Sequence, residues 1–147
     1  MRQLRAVLGL AAMVLLAAAS TSGCSRGDAA PRGNVVDVHE KDFAITAQVT
    51  TVHAGLVTFR VANSGPSTHE FLVDRTSAAA DALPLRADDI TVDEDSKLLH
   101  PVGFLGKIRL GATRELTLRL DPGRYVLFCN LEGHYRGGMF VPVEVIR

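Results

Sequence analysis

Sulfur is scarce in this chain. Two of its 147 residues are cysteine and three are methionine. The cysteines are Cys24 and Cys129, and beyond Gly23 the sole methionine is Met139. Long apolar runs are missing too. The longest is AVLGLAAMVLLAAA, Ala6–Ala19, which falls short of the roughly 20 residues a membrane-spanning helix needs. Neither sign of charge dominates, since 16 basic residues balance 16 acidic ones. Nothing in that balance points to nucleic-acid binding, which wants a strongly basic face. There is no internal repeat, and no low-complexity tract beyond the front end.

The front end reads as an address, not as fold. Met1–Gly23 places Arg2 and Arg5 ahead of the apolar run, has no acidic residue, and closes on small residues. That is the layout of a secretory signal over residues 1–23. Ser22 and Gly23 followed by Cys24 resemble a bacterial lipoprotein processing site. The resemblance implies cleavage before Cys24, lipid on its sulfur, and a protein anchored to the cell membrane and facing outside the cytoplasm. The alternative is an ordinary cleaved signal with an unmodified Cys24. Residues 24–34 are small and polar and contain Pro31, so they read as a flexible tether. The rest, 35–147, is enough for one domain with a modest core. Lipid on Cys24 would leave Cys129 with no disulfide partner. A lone cysteine in an oxidising compartment calls for another role, and metal coordination is one.

From Val35 onward the hydrophobic period is two. Phe43, Ile45, Ala47 and Val49 alternate with polar or smaller residues, as do Val57, Phe59 and Val61. Leu116, Leu118 and Leu120 repeat the pattern, and Val141, Val143 and Val145 close the chain. The turn signals NSGPS (Asn63–Ser67), LGAT near Gly111 and DPGR (Asp121–Arg124) separate these runs. Six to eight short strands of this kind predict an all-β, antiparallel sandwich. Pro142 inside the last run suggests an edge position or a bulge. The least regular part is Thr76–Gly106, where TSAAADALPL suits a short helical turn stopped by Pro84. Asp81–Asp95 holds six acidic residues against Arg86. It reads either as a solvated loop or as a docking surface for a basic redox partner.

The stretch CNLEGHYRGGMF carries the chemistry. Cys129, His134 and Met139 fall at equal spacing within eleven residues. Thiolate and thioether are soft ligands that favour copper, and imidazole serves both of its oxidation states. Two histidines, one cysteine and a weak axial methionine make the blue-copper electron-transfer set. Here one histidine is still wanted, from His39, His53, His69 and His100. His69 is the strongest, because it stands where the loop NSGPST turns into the apolar strand Phe71–Val73. Cys129 ends the apolar strand YVLFC, and antiparallel neighbours bring two such positions to one pole. His53 sits beside Ala54-Gly55 in a hairpin turn, and His39 lies in an early strand. His100, between the acidic segment and Pro101, is the reserve. Gly133, Gly137 and Gly138 let the backbone fold tightly there, and Asn130 is placed to brace the loop.

With these residues the chain resembles the cupredoxins, the small blue-copper family that includes plastocyanin, azurin and sulfocyanin. The matching segments are Asn63, Gly65 and His69, then Cys129, His134 and Met139. The look of GHYRGGMF is similar to sulfocyanin-like, lipoprotein-anchored members. The likeness covers 35–147 and implies a Greek-key β-sandwich with one copper at one end. It also implies an exposed His134 through which electrons pass, ringed by Leu131, Phe140 and Phe104 or Leu105. One position departs from the plastocyanin pattern: Glu70 stands where asparagine commonly ties the two ligand loops.

Taken singly, a buried cysteine or methionine is ordinary packing; it is the grouping that argues for a metal. A Cys–His nucleophile is the enzyme reading, but no orienting third residue or oxyanion segment accompanies the pair, so no enzyme is expected. Zinc is disfavoured because methionine is a poor zinc ligand. The expected function is one-electron transfer by a monomer at the outer face of the cytoplasmic membrane. Its redox partner would be a membrane oxidase or a cytochrome. The alternatives are a copper-delivery lipoprotein serving a copper-handling protein, and a cupredoxin-shaped interaction module without metal.

Overall fold

The computed structural model describes residues 34–147. The signal expected over 1–23 and the lipid site at Cys24 lie outside the described residues, as does the tether up to Gly33. Every regular element described is a strand: β1 (Asn34–Lys41), β2 (Ala44–Ala47), β3 (Thr51–His53), β4 (Gly55–Asn63), β5 (His69–Arg75), β6 (His100–Ile108), β7 (Thr113–Leu120), β8 (Gly123–Phe128) and β9 (Phe140–Ile146). Two sheets form, in the orders β2-β1-β4-β7 and β3-β9-β8-β5-β6. The chain crosses between them five times, which gives the Greek-key character. The sheets are mixed, not purely antiparallel, because β1 pairs β4 and β3 pairs β9 in parallel. Period two in a sequence marks a half-buried strand but is silent on its partner's direction. Among the described residues no helix is long and apolar enough to cross a membrane.

The alternation seen in the sequence is the sandwich's inner face. Val36 and Val38 of β1, and Val57, Phe59 and Val61 of β4, point inward with no exposure. They meet Phe71 and Val73 of β5 and Leu127 of β8 in one core. Phe59 and Phe71 pack across the sheets at 5.6 Å between ring centroids. Each such burial removes enough apolar surface to stabilise by about 2–3 kcal/mol.

The second sheet is covered on both faces, and that explains YVLFC. Tyr125 and Leu127 face the inner core, while Val126 and Phe128 face a second cluster with Leu72, Leu83, Val92, Leu99 and Tyr135. Leu83, Val92 and Leu99 belong to the connection between β5 and β6, which lies over the outer face of the sheet. Its expected helical turn is a single turn at 80–81. The irregular part also ends sooner than Gly106, because β6 begins at His100. The acidic segment is thus more than a solvated loop. Leu83 and Val92 are pinned down, while Ile90, Asp88, Asp89, Glu94 and Asp95 face water. Arg86 approaches Asp95 at 3.8 Å and Arg136 approaches Asp89 at 3.6 Å.

Candidate metal centre

Register brings the ligand candidates to one pole. β5 starts at His69 and β8 ends at Phe128, and the two are antiparallel neighbours with Leu72 opposite Phe128. Cys129, one step past β8, therefore reaches the end where β5 begins. β9 starts at Phe140, opposite Phe128, so residues 129–139 form one loop between adjacent strands. Its neck is closed by the Cys129 N–H donating to the Met139 carbonyl at 3.1 Å. Inside the loop the His134 N–H donates to the Leu131 carbonyl at 2.8 Å, and the Met139 N–H to the His134 carbonyl at 3.1 Å. Gly133 (φ 76°) and Gly138 (φ 110°) occupy the left-handed region, where a side chain would be strained.

The segment before His69 is built by its own residues. The Asn63 side chain accepts from the Gly65 N–H at 2.9 Å. It donates to the Ser67 and Ile108 carbonyls, each at 2.8 Å. Gly65 lies so close to the β1–β2 turn that a Cβ there would be 2.6 Å from the Asp42 nitrogen. Asp42 in turn accepts from the Ser67 N–H at 3.0 Å and the Ser67 hydroxyl at 2.8 Å.

Three donor atoms converge. The ligating atoms of His69, Cys129 and His134 all lie within 4.8 Å of one another. The two Nδ1 atoms face each other at 3.2 Å, and Cys129 Sγ is 3.5 Å from His134 Nδ1. His69 and Cys129 are fully buried, and His134 is half-buried. Met139 is fully buried on the same loop, next to the neck that Cys129 closes. Two imidazole nitrogens and a sulfur brought this close form a soft donor set that fits copper.

Burial and neighbouring charges set the protonation of the donors. Burial pushes the Cys129 thiol up to about 11, with the charges of Glu40 and Glu70 adding to it. The backbone N–H groups of Glu70 and Leu131 at the sulfur pull the other way. A thiol so placed becomes a ligand when a cation pays for the thiolate. Burial lowers the His69 pKa, and His134 lowers it further, with Asp42 opposing. A neutral imidazole is the form that binds metal. Asp42 Oδ1 approaches His69 Nε2 at 3.3 Å, a close contact that falls short of hydrogen-bond alignment. Burial raises the Asp42 carboxyl, but the Ser67 hydroxyl and N–H together with the two imidazoles outweigh it, so its pKa is lowered.

Two side chains of the loop hold the cover segment. Asn130 accepts from the Val92 N–H at 2.6 Å and donates to the Val92 carbonyl at 3.1 Å and to Glu94 at 2.6 Å. The Tyr135 hydroxyl accepts from the Leu83 N–H at 2.9 Å and donates to the Ala80 carbonyl at 2.8 Å. At Glu70, the departing position, burial and then the charge of Glu94 raise the carboxyl pKa, while the nearby Asn130 backbone N–H lowers it.

The remaining histidines are elsewhere. His100 pairs with Arg75 at the far end of β5, so the reserve candidate is at the opposite pole. His53 pairs with Ile146 at that same far end, and His39 is exposed on β1. The expected apolar ring also changes. Leu105 is in the inner core and Phe104 stands exposed on β6. The ring that meets His134 is Phe43, edge-on at 5.6 Å. Phe43 is not an inward strand residue. It sits in the β1–β2 turn with φ 60° and is 55% exposed. A Cβ on Gly137 would run into its ring. Sequence reasoning missed Phe43, Asp42 and the fully buried Glu40. The only hint was the Lys41-Asp42 pair that interrupts the alternation.

No protein-family model and no curated protein sequence matches the chain. Solved structures do. Auracyanin B superposes with a TM-score of 0.57 at 21% identity, covering 78% of this chain and 89% of that one. Auracyanin A, a "blue" copper protein from the green thermophilic photosynthetic bacterium Chloroflexus aurantiacus, gives 0.53 at 22% identity over 76% and 98%. Rusticyanin from Thiobacillus ferrooxidans gives 0.52 at 18% identity over 78% and 79%. The sandwich of residues 34–147, with its converging His69, Cys129 and His134, therefore has the cupredoxin fold that these proteins share.

Proposed function

We propose that the chain is a lipid-anchored, extracytoplasmic one-electron carrier. In this reading His69, Cys129, His134 and Met139 would hold a single copper. The observation that carries it is the convergence of three donor atoms within 4.8 Å at one end of a cupredoxin sandwich. Copper bound by such a set supplies a Cu(II)/Cu(I) couple. The chain's own residues supply the frame. β5 fixes His69, the ends of β8 and β9 fix Cys129 and Met139, and Asn130 and Tyr135 clamp the loop between them. A frame tied on three sides resists rearrangement when the charge at its centre changes, which keeps the barrier to electron transfer low. Burial of His69, Cys129 and Met139 excludes water, and the half-buried His134 is the way in and out. The donor set is no substrate pocket, and nothing is turned over.

The same burial favours a carrier of electrons over a carrier of copper. Delivery needs ligands that a second protein can displace, and three of the four residues here are out of reach. The visible spectrum of the copper-loaded protein tests the reading. Oxidised protein should be intensely coloured, bleach on reduction and regain colour on reoxidation. Cys129→Ala should lose the colour completely, and His100→Ala should keep it. A colourless copper adduct of the intact protein overturns the reading.

A further inference from the structure

The pole opposite the metal centre carries a groove of about 360 Å³. Arg75, Lys97, His100 and Arg124 line it, with no carboxylate among its walls. Leu98, 54% exposed, lines it too. The Arg75 guanidinium donates to the Pro122 carbonyl at 3.1 Å, and Arg124 donates to the Ser77 carbonyl at 3.2 Å. Gly123 leaves room for the former, since a Cβ there would be 2.8 Å from Arg75 Nε. The carboxylates around it are Asp121 in the β7–β8 turn, Glu144 opposite Arg124, the buried Asp74 beside Arg75, and Asp95 two residues before Lys97. None of them lines the groove.

Register also says where the chain enters the domain. Asn34 donates to the His53 carbonyl at 2.8 Å. His53 pairs with Ile146, and the adjoining Val145 pairs with Gly123. The start of β1 and the basic groove therefore share one pole, while β1 ends at Lys41, next to the Asp42 that approaches His69. Nine residues, Ser25–Gly33, separate Asn34 from Cys24. Fully extended they span about 30 Å, so lipid on Cys24 keeps this pole near the bilayer.

We propose that the groove of Arg75, Lys97, His100 and Arg124 binds the anionic headgroups of the membrane and turns the metal pole away from the lipid. Cations lining a concave surface attract phosphates, and clustered Lys and Arg add up at an anionic surface. The exposed Leu98 among them suits the boundary between headgroup and acyl chain. The proposal is independent of copper, and it rests on the anchored reading for orientation alone.

The chain's three lysines make the test direct. Lys97 lines the groove, while Lys41 and Lys107 stand toward the metal pole, beside Asp42 and beside the Ile108 that pairs with His69. The full-length protein is mixed with vesicles of phosphatidylcholine alone, or of phosphatidylcholine with phosphatidylglycerol. It is then labelled with a water-soluble acylating reagent. Acylation of Lys97 should slow roughly tenfold on the phosphatidylglycerol vesicles, with Lys41 and Lys107 unchanged. Arg75→Glu with Arg124→Glu should erase the difference. Arg75→Gln should halve it or more, and the copper colour of each variant checks its fold. Equal Lys97 rates on both vesicles overturn the proposal, as does protection of Lys41 and Lys107 instead. Equal slowing by inorganic phosphate on phosphatidylcholine vesicles also overturns it, because the occupant would then be the free anion. Failure to float with phosphatidylcholine vesicles would count against the anchor, while the phosphatidylglycerol difference still reads the groove. Failure of the copper reading leaves the labelling ratio untouched.

Discussion

The two ends of this sandwich are built by opposite rules. At one end His69, Cys129 and Met139 are fully buried, and side chains of the ligand loop clamp it to its neighbours. At the other end Arg75, Lys97, His100 and Arg124 are exposed around an open groove. The difference teaches where change is tolerated. A group at the closed end has few places to move, so its substitution is felt in stability and in the site together. A group at the open end is solvated and screened, so its loss is felt by a charged partner and hardly by the fold.

The largest contrast should appear with pH. Glu40 is fully buried near the closed end, and neither carboxyl oxygen has a hydrogen-bond partner. Burial, and then the charge of Glu70, raises its pKa from the ordinary 4.5 to about 8. A raised folded pKa means that stability is full below the unfolded value and is lost as pH rises through the folded one. Between about 4.5 and 8 the metal-free protein should lose up to about 1.4 kcal/mol per pH unit from this group. Denaturant titrations should show that slope, and Glu40→Gln should flatten it. Asp74, raised by burial and then the charge of Glu94 from 3.8 to about 6, leaves a slope of the same sign over that narrower, lower window. An unchanged slope in Glu40→Gln would mean that this carboxyl does not govern the pH response.

Next in size is Gly65→Ala. Its Cβ would press on backbone atoms of Lys41 and Asp42 at 2.7 and 2.6 Å, costing about 1–3 kcal/mol. Because Gly65 lies on the segment that sets His69, copper affinity should fall with it. Full stability with weakened copper binding would separate the two effects. Tyr135→Phe should cost about 1–2 kcal/mol, since the buried Leu83 N–H would lose its acceptor. Thermal melts measure that loss, and a shift in copper colour would show that the cover segment shapes the site. The smallest effect belongs to the open end. Arg75→Ala should change stability by under about 0.5 kcal/mol, and a larger loss would break the contrast between the ends.

Much of the site was legible because its residues are close in sequence. Cys129, His134 and Met139 share one loop, and a loop between adjacent strands keeps its members together whatever the rest of the fold does. His69 was legible because it stands where a Gly/Pro loop turns into an apolar strand, and Asn63 and Gly65 through the family resemblance. Asp42, Phe43 and Glu40 were not. Asp42 and Phe43 act by lying across the site from a turn whose residues have no chemistry of their own. Glu40 looks like any surface glutamate of an alternating strand until the parity of β1 turns it inward. The reserve status of His100 had the opposite cause. Its neighbours Asp95 and Pro101 say nothing about which end of β6 it occupies, and pairing with Arg75 settles that.

The sequence by itself determined the all-β class, the inward face of β4 and the membership of the ligand loop. Those depend on side-chain period and on residues within one turn of each other. Only the tertiary structure decided which sheet edge each strand joins and that two pairings run parallel. It alone brought His69 to Cys129, laid the cover segment over the second sheet, and gathered four cations at the far pole. Each of these is a contact between residues distant in the chain, and strand register, which no local pattern encodes, is what brings them together.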